Sequence, residues 1–258
     1  KTFKNISECH FCKKTIDDGR FCPAIASQQF DPSINKLQYL EFNTSNVCNQ
    51  QCVTCSSKFS NQWIKINPLF DRYDNTTYIL TDKDINKICD ALTDLKELQI
   101  KGGEPFADIR NYKIIKKLFE VNDECMIQII TNGSLIPKKY MDLIFRNPKR
   151  FWICASIDAV GKRYEWIRGT PWKKTNQTLK ELYYQTGVKP TITPILSSYN
   201  INSTTSLDNW ASESEWIDIE ATKSIGGYYK NLVHGPDWCN PQKVFTQKQI
   251  NIIKDLPF

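Results

Sequence analysis

Cys48, Cys52 and Cys55 stand in the run Asn46-Val-Cys-Asn-Gln-Gln-Cys-Val-Thr-Cys55, so one short segment offers three thiolates at C-x3-C-x2-C spacing. Closed iron–sulfur clusters take four cysteines, and three with no fourth nearby leave one iron of a cubane open to a ligand that is not protein. Zinc is the other metal to weigh. Structural zinc sites pair C-x2-4-C knuckles with two further Cys or His ligands, whereas here the next cysteine downstream is Cys89 and the histidines are His10 and His234. Unliganded burial fits poorly with the Asn, Gln, Thr and Ser that crowd the segment.

Further along lie Gly102-Gly103-Glu104-Pro105, Thr131-Asn132-Gly133, Ala155-Ser156-Ile-Asp158-Ala159 and Arg163-Tyr-Glu-Trp-Ile-Arg168-Gly. Taken singly these have plain readings. Gly-Gly before Pro is ordinary turn punctuation, Ser156 and Asp158 could cap a helix, Asn132 could be a turn residue, and Arg168 a solvated charge.

Their positions in the chain give them weight. Leu37 to Phe42 reads as a strand running into the cysteine segment, and Ile85, Ile88 and Leu92 have helical spacing after Asp82. Strands are then expected at Leu95 to Ile100, Met126 to Ile130, Phe151 to Ile157, Thr191 to Leu196 and Trp216 to Glu220. Helices are expected at Tyr112 to Phe119, Lys138 to Phe145 and Lys174 to Gln185. Alternation of this kind predicts an α/β fold of parallel βα units, and six units suit a partial (β/α)6 TIM-like barrel. Ligand sites in such folds lie at the carboxyl ends of the strands, where these motifs fall.

The cysteine segment after the first strand and Gly-Gly-Glu-Pro after the second resemble the radical S-adenosylmethionine (radical SAM) superfamily, over most of residues 37 to 222. The resemblance implies a [4Fe–4S] cluster on Cys48, Cys52 and Cys55 whose open iron is chelated by SAM. It also implies an electron donor of reductase, flavodoxin or ferredoxin type, and cleavage of SAM to methionine and a 5′-deoxyadenosyl radical that takes hydrogen from a substrate carbon. Within the cofactor-binding run that ends at Pro105, Gly102 and Gly103 would let backbone approach the methionyl moiety, with Glu104 receiving its amino group. Ser156 and Asp158 match the fourth-strand position near the ribose and carboxylate, Arg168 an arginine that pairs with the carboxylate, and Asn132 a polar residue near the ribose. The family often carries an aromatic residue before the third cysteine. Here it is Thr54, so the adenine contact is expected from another side chain, with the strand Thr191 to Leu196 as a source.

Cys9, Cys12 and Cys22 form a second group before the barrel, and Cys239 lies beyond it. They resemble the auxiliary-cluster segments of twitch- and SPASM-type members, although in those subfamilies most such cysteines follow the barrel. A zinc knuckle on Cys9, Cys12 and His10 or Cys22 is the competing reading. Cys239 is open to three roles: fourth ligand of an auxiliary cluster, catalytic hydrogen-atom donor to a substrate radical, or unreactive thiol. Cys89, Cys125 and Cys154 fall in helix and strand patterns and read as small core residues.

The expected organisation is an auxiliary-cluster segment at 1–34, a barrel at 35–225 and a C-terminal extension at 226–258. At 258 residues and 40% hydrophobic content the chain can bury one substantial core. The apolar runs are too short to span a bilayer, and no charged-then-apolar leader opens the sequence, so a cytoplasmic location is expected. Lys+Arg of 34 against Asp+Glu of 28 gives a net charge of +6 without a basic run, and nucleic acid is not indicated as a partner. The resemblance puts a peptide or protein substrate first, with oxidation or epimerisation of a carbohydrate or aminocyclitol as the alternative. A metal-bound interaction scaffold without catalysis is the non-enzyme reading.

Overall fold

Strands β1 (Tyr39–Phe42), β2 (Glu97–Ile100), β3 (Met126–Thr131), β4 (Phe151–Ala155) and β5 (Thr191–Ile192) make one parallel sheet in sequential order in the computed structural model. The structure describes residue 33 and residues 35–65, 76–224, 237–246 and 248–249. Each crossover carries helix: α1 (Asn61–Ile64) and α2 (Asp82–Asp90) after β1, α3 (Ile109–Val121) after β2, and α4 (Lys138–Arg146) after β3. Beyond β4 come α5 (Gly161–Arg168) and α6 (Trp172–Thr186). After β5 follow α7 (Thr204–Glu213), α8 (Ile219–Ser224) and α9 (Pro241–Val244).

Register explains why the sheet holds together. Leu40, Leu98, Ile127 and Phe151 are paired in one row across four strands, and Phe42, Ile100, Ile129 and Ile153 in a second. Both rows face one side and pack with Ile85, Ile114, Ile115, Leu118, Tyr140 and Ile144 of α2, α3 and α4. A second cluster joins Ala155, Ile157 and Ile192 to Tyr164, Ile167, Leu179 and Leu207 of α5, α6 and α7. Alternate residues Gln99, Gln128 and Cys154 lie on the opposite face, where the Gln99 amide donates to Gln128 and Gln128 Nε2 to Cys154 Sγ at 3.4 Å.

Local signals fix the helix starts. Thr81 and Asp84 close a reciprocal capping box on α2, and Asp108 caps α3 by accepting from Arg110 N–H at 3.0 Å. The strand expected at Trp216 to Glu220 is instead a turn into α8. Its apolar–polar alternation mimics a strand, but Asp218 Oδ1 accepts Ala221 N–H at 2.9 Å and starts a helix. The fifth strand is also shorter than expected, two residues rather than six, because Pro194 has no N–H for the ladder. Among the described residues no helix is long and apolar enough to cross a membrane.

Candidate functional site

The cysteine segment leaves β1 and is held at many points by its own polar residues. Buried Asn46 donates from Nδ2 to Ser57 O at 2.9 Å and Thr76 O at 3.1 Å, and accepts from Tyr78 N–H at 3.2 Å. From α1, Gln62 Nε2 donates to Cys48 O at 2.9 Å and Trp63 Nε1 to Cys52 O at 3.0 Å. Val53 N–H donates to Ile167 O at 2.8 Å, tying the loop to the last turn of α5. These bonds satisfy buried backbone that would otherwise be costly to bury.

Three free thiols result, Cys48 and Cys52 buried and Cys55 half-buried. Their surroundings are donors. Gln50 N–H faces Cys48 Sγ at 3.4 Å, Asn132 Nδ2 faces the same sulfur at 3.9 Å, and Arg168 Nη1 faces Cys52 Sγ at 3.8 Å. Burial pushes the Cys48 thiol up to about 11 and Cys55 up to about 12, and raises Cys52 against the opposing pull of Arg168. Soft ligands ringed by donors, yet not ionised by the protein alone, fit a metal cluster that displaces the thiol protons as it binds. Among the described residues no three Cys, His, Asp or Glu converge on one point as a single ion requires.

Gly102 and Gly103 have φ of +82° and +50°. A Cβ at Gly102 would collide with the Asn43 side chain, and one at Gly103 with Val47 O. The room they leave is thus filled by the cysteine loop itself, and Glu104 N–H donates to Val47 O at 2.8 Å. Glu104 is 1% exposed. Its Oε1 accepts Thr131 Oγ1 at 2.7 Å and Phe106 N–H at 3.1 Å, and Oε2 accepts Asn132 N–H at 2.7 Å. Burial lifts its carboxyl to about 7 even though those three donors pull the other way.

Asn132 is a turn residue and a site residue at once. Oδ1 accepts Ser134 N–H at 2.9 Å and its hydroxyl at 2.7 Å, while Nδ2 donates to Asn49 Oδ1 at 2.8 Å beside Cys48. Neither Ser156 nor Asp158 caps a helix, since α5 begins after Val160 without a side-chain cap. Ser156 is half-buried and donates its N–H to Thr131 O at 2.8 Å. Asp158 accepts Ile195 N–H at 2.8 Å through Oδ1 and pairs through Oδ2 with Arg168 Nε at 2.6 Å, close in distance though not aligned as a directed hydrogen bond. Arg168 is no solvated charge: it is 8% exposed. Burial alone would depress the guanidinium, but the Asp158 carboxylate and the Cys52 sulfur outweigh it and hold it above its usual range.

Cys239 is fully buried, its thiol directed at Val53 O, 3.8 Å away, and faced by the Tyr199 hydroxyl. Cys9, Cys12 and Cys22 lie outside the described residues. Cys125 and Cys154 are buried, and Cys89 is half-buried against the core.

Sequence reasoning did not single out Asn49, Gln50, Trp63 or Asp108. Asp108 accepts the Thr44 and Ser45 hydroxyls at 3.0 and 2.6 Å, joining the start of α3 to the loop entry. Gln50 Nε2 donates to Tyr164 OH at 3.2 Å. Trp63 of α1 brings an aromatic group to the loop through its bond to Cys52 O. The density of amide side chains at 46–51 was the available signal, since a loop so rich in short polar groups must spend them on its own backbone.

The sequence profile of the Radical SAM superfamily matches residues 42–195. The S-adenosylmethionine-dependent nucleotide dehydratase of Fibrobacter sp. (strain UWH6) is 32% identical over 100 residues, 38% of this chain and 28% of that protein. The GTP 3′,8-cyclase of Campylobacter lari is 26% identical over 124 residues, 48% and 35% respectively. The chain thus spans well under half the length of these curated relatives. Native anSMEcpe with bound AdoMet superposes with a TM-score of 0.53 at 19% identity, over 70% of this chain and 50% of that one. Streptococcus suis SuiB bound to precursor peptide SuiA gives 0.50 at 17% identity, over 79% and 49%. At such identities the structural likeness is one of fold. With its three-cysteine loop and the motifs at successive strand ends inside the matched region, the chain belongs to the radical SAM superfamily.

Proposed function

We propose that Cys48, Cys52 and Cys55 hold a [4Fe–4S] cluster with one iron left for SAM, and that the chain performs radical chemistry at a substrate carbon. Bound there, cluster and SAM would supply reductive cleavage: one electron from a flavodoxin- or ferredoxin-type donor splits the sulfonium into methionine and a 5′-deoxyadenosyl group that takes a hydrogen atom from substrate. The observation that carries this reading is convergence. Glu104, Asn132 and Arg168, from the segments after three successive strands, meet at the one cysteine loop: Glu104 by charge and Asn132 by an N–H donor at Cys48, and Arg168 by an N–H donor at Cys52.

Each side chain then has a definite task. An ionised carboxylate offers about four acceptor positions, and Glu104 uses two at Oε1 and one at Oε2. Oε2 keeps a place for one more donor, which the SAM ammonium would fill. Asn132 and Ser156 are the proposed ribose contacts, and Trp63 the aromatic wall that Thr54 does not supply. Asp158 serves through Arg168, which it anchors. Before the barrel, Cys9, Cys12 and Cys22 are proposed to hold an auxiliary cluster, on the strength of their spacing alone.

For the substrate a peptide comes first, since anSMEcpe binds the Cp18Cys and Kp18Cys peptides and SuiB its precursor peptide. A nucleotide or other sugar-bearing small molecule is the second reading, favoured by the names of both curated relatives. Anaerobic reconstitution with SAM and dithionite tests the class. The parent chain should form 5′-deoxyadenosine and methionine, and Cys52→Ala should form neither. Parental cleavage by that variant contradicts the cluster assignment.

A further inference from the structure

The guanidinium of Arg168 is committed inside the protein, to a ligand cysteine rather than to solvent. Nε meets Asp158 Oδ2 at 2.6 Å, Nη1 faces Cys52 Sγ at 3.8 Å, and the Arg168 carbonyl faces the same sulfur at 3.9 Å. Asp158 is itself fixed by Ile195 N–H at 2.8 Å, and the Val53–Ile167 bond of 2.8 Å fastens the last turn of α5 to the loop. Cys48, by contrast, is met by neutral donors, the Gln50 N–H, the Asn132 amide and the Ser60 hydroxyl. Among the described residues, Cys52 is the thiol with a formal cation in hydrogen-bond reach. A buried ion pair adds little net stability, so its effect is to be sought in the field it imposes on the sulfur.

We propose that Arg168 is a positioning residue that raises the reduction potential of the cluster, and that Asp158 limits the rise by holding the guanidinium and partly cancelling its charge. Cluster potentials follow net charge, hydrogen bonds to sulfur and burial. One-electron reduction by the external donor adds negative charge to a buried site, and a fixed cation with an N–H on one thiolate stabilises that reduced state. The proposal rests on reading Cys48, Cys52 and Cys55 as a cluster site.

Redox potentiometry followed by EPR, run anaerobically without SAM, separates the two ideas. Arg168→Gln should shift the potential to more negative values, and Arg168→Lys should fall between it and the parent. Asp158→Asn keeps an acceptor beside Nε while removing the carboxylate charge, and should shift the potential to more positive values. A loosened loop would move both classes of variant the same way, so shifts of equal sign, or potentials equal to the parent's, overturn the proposal. Should Arg168→Gln take up no iron, Arg168→Lys against Asp158→Asn carries the same test of sign. A folded parent that takes up no iron overturns the cluster reading itself, and this proposal with it.

Discussion

The helix-facing side of the sheet and the carboxyl ends of its strands are built from the same β-strands on different physics. On the face, two in-register rows of Leu, Ile and Phe are buried against α2, α3 and α4. A few residues further along, the segments that follow β2, β3 and β4 deliver Glu104, Asn132 and the Asp158–Arg168 pair, also buried but each tied to named donors or charges. Apolar packing is non-directional and tolerates one hydrophobe for another of like volume. The polar rim tolerates no such exchange, because removing one partner strands the others without water. Stability is therefore concentrated on the face, and chemical identity at the rim.

That division makes graded predictions. Leu98→Ala, at a position with no exposed surface, should cost about 2–5 kcal/mol in urea unfolding while leaving the ultraviolet-visible spectrum of the iron-loaded fraction unchanged. A spectral change would show that face and rim are not separable.

The rim should reveal itself through pH. The Glu104 carboxyl lies at about 7 in the fold against an ordinary 4.5, so between those values the folded chain binds more protons than the unfolded one. Its contribution is fully present below about 4.5 and is lost as pH rises through about 7, a change of order 3 kcal/mol. Glu104→Gln should flatten that slope, measured as unfolding free energy in the metal-free protein between pH 5 and 8. Parallel pH curves for parent and variant would mean that Glu104 is not desolvated.

The smallest effect belongs to the surface. Lys36 and Asp94 form a 2.7 Å pair, but their side chains are 60% and 43% exposed, and Lys36→Ala should cost less than about 1 kcal/mol. A larger loss would place stability outside the face as well.

The face was the more legible of the two regions. Its period-two strands, and the helical spacing of Ile85 and Ile88 behind Thr81, are written in consecutive residues. The expected strands at Met126 and Phe151 start where the structure starts them. Trp216 to Glu220 misled because the alternation of Ile217, Asp218, Ile219 and Glu220 satisfies a strand pattern, and the Asp218 cap outweighs it only when the following helix is considered. Helix α5 escaped notice because its buried residues, Tyr164, Ile167 and Arg168, include a charge whose partner Asp158 lies outside the helix. The rim motifs could be located by type and spacing, but their partners could not. That Gly103 accommodates Val47, or that Glu104 braces Thr131 and Asn132, depends on which strands become neighbours.

The open iron is the central claim, and SAM-dependent EPR of the reduced, anaerobically loaded protein tests it most directly. The parent spectrum should change on adding saturating SAM, because only an iron without a protein ligand can accept one. In Cys48/Cys52/Cys55→Ala that response should vanish, whatever signal an N-terminal cluster leaves behind. A parent spectrum indifferent to SAM, or a triple variant that still responds to it, would contradict the account.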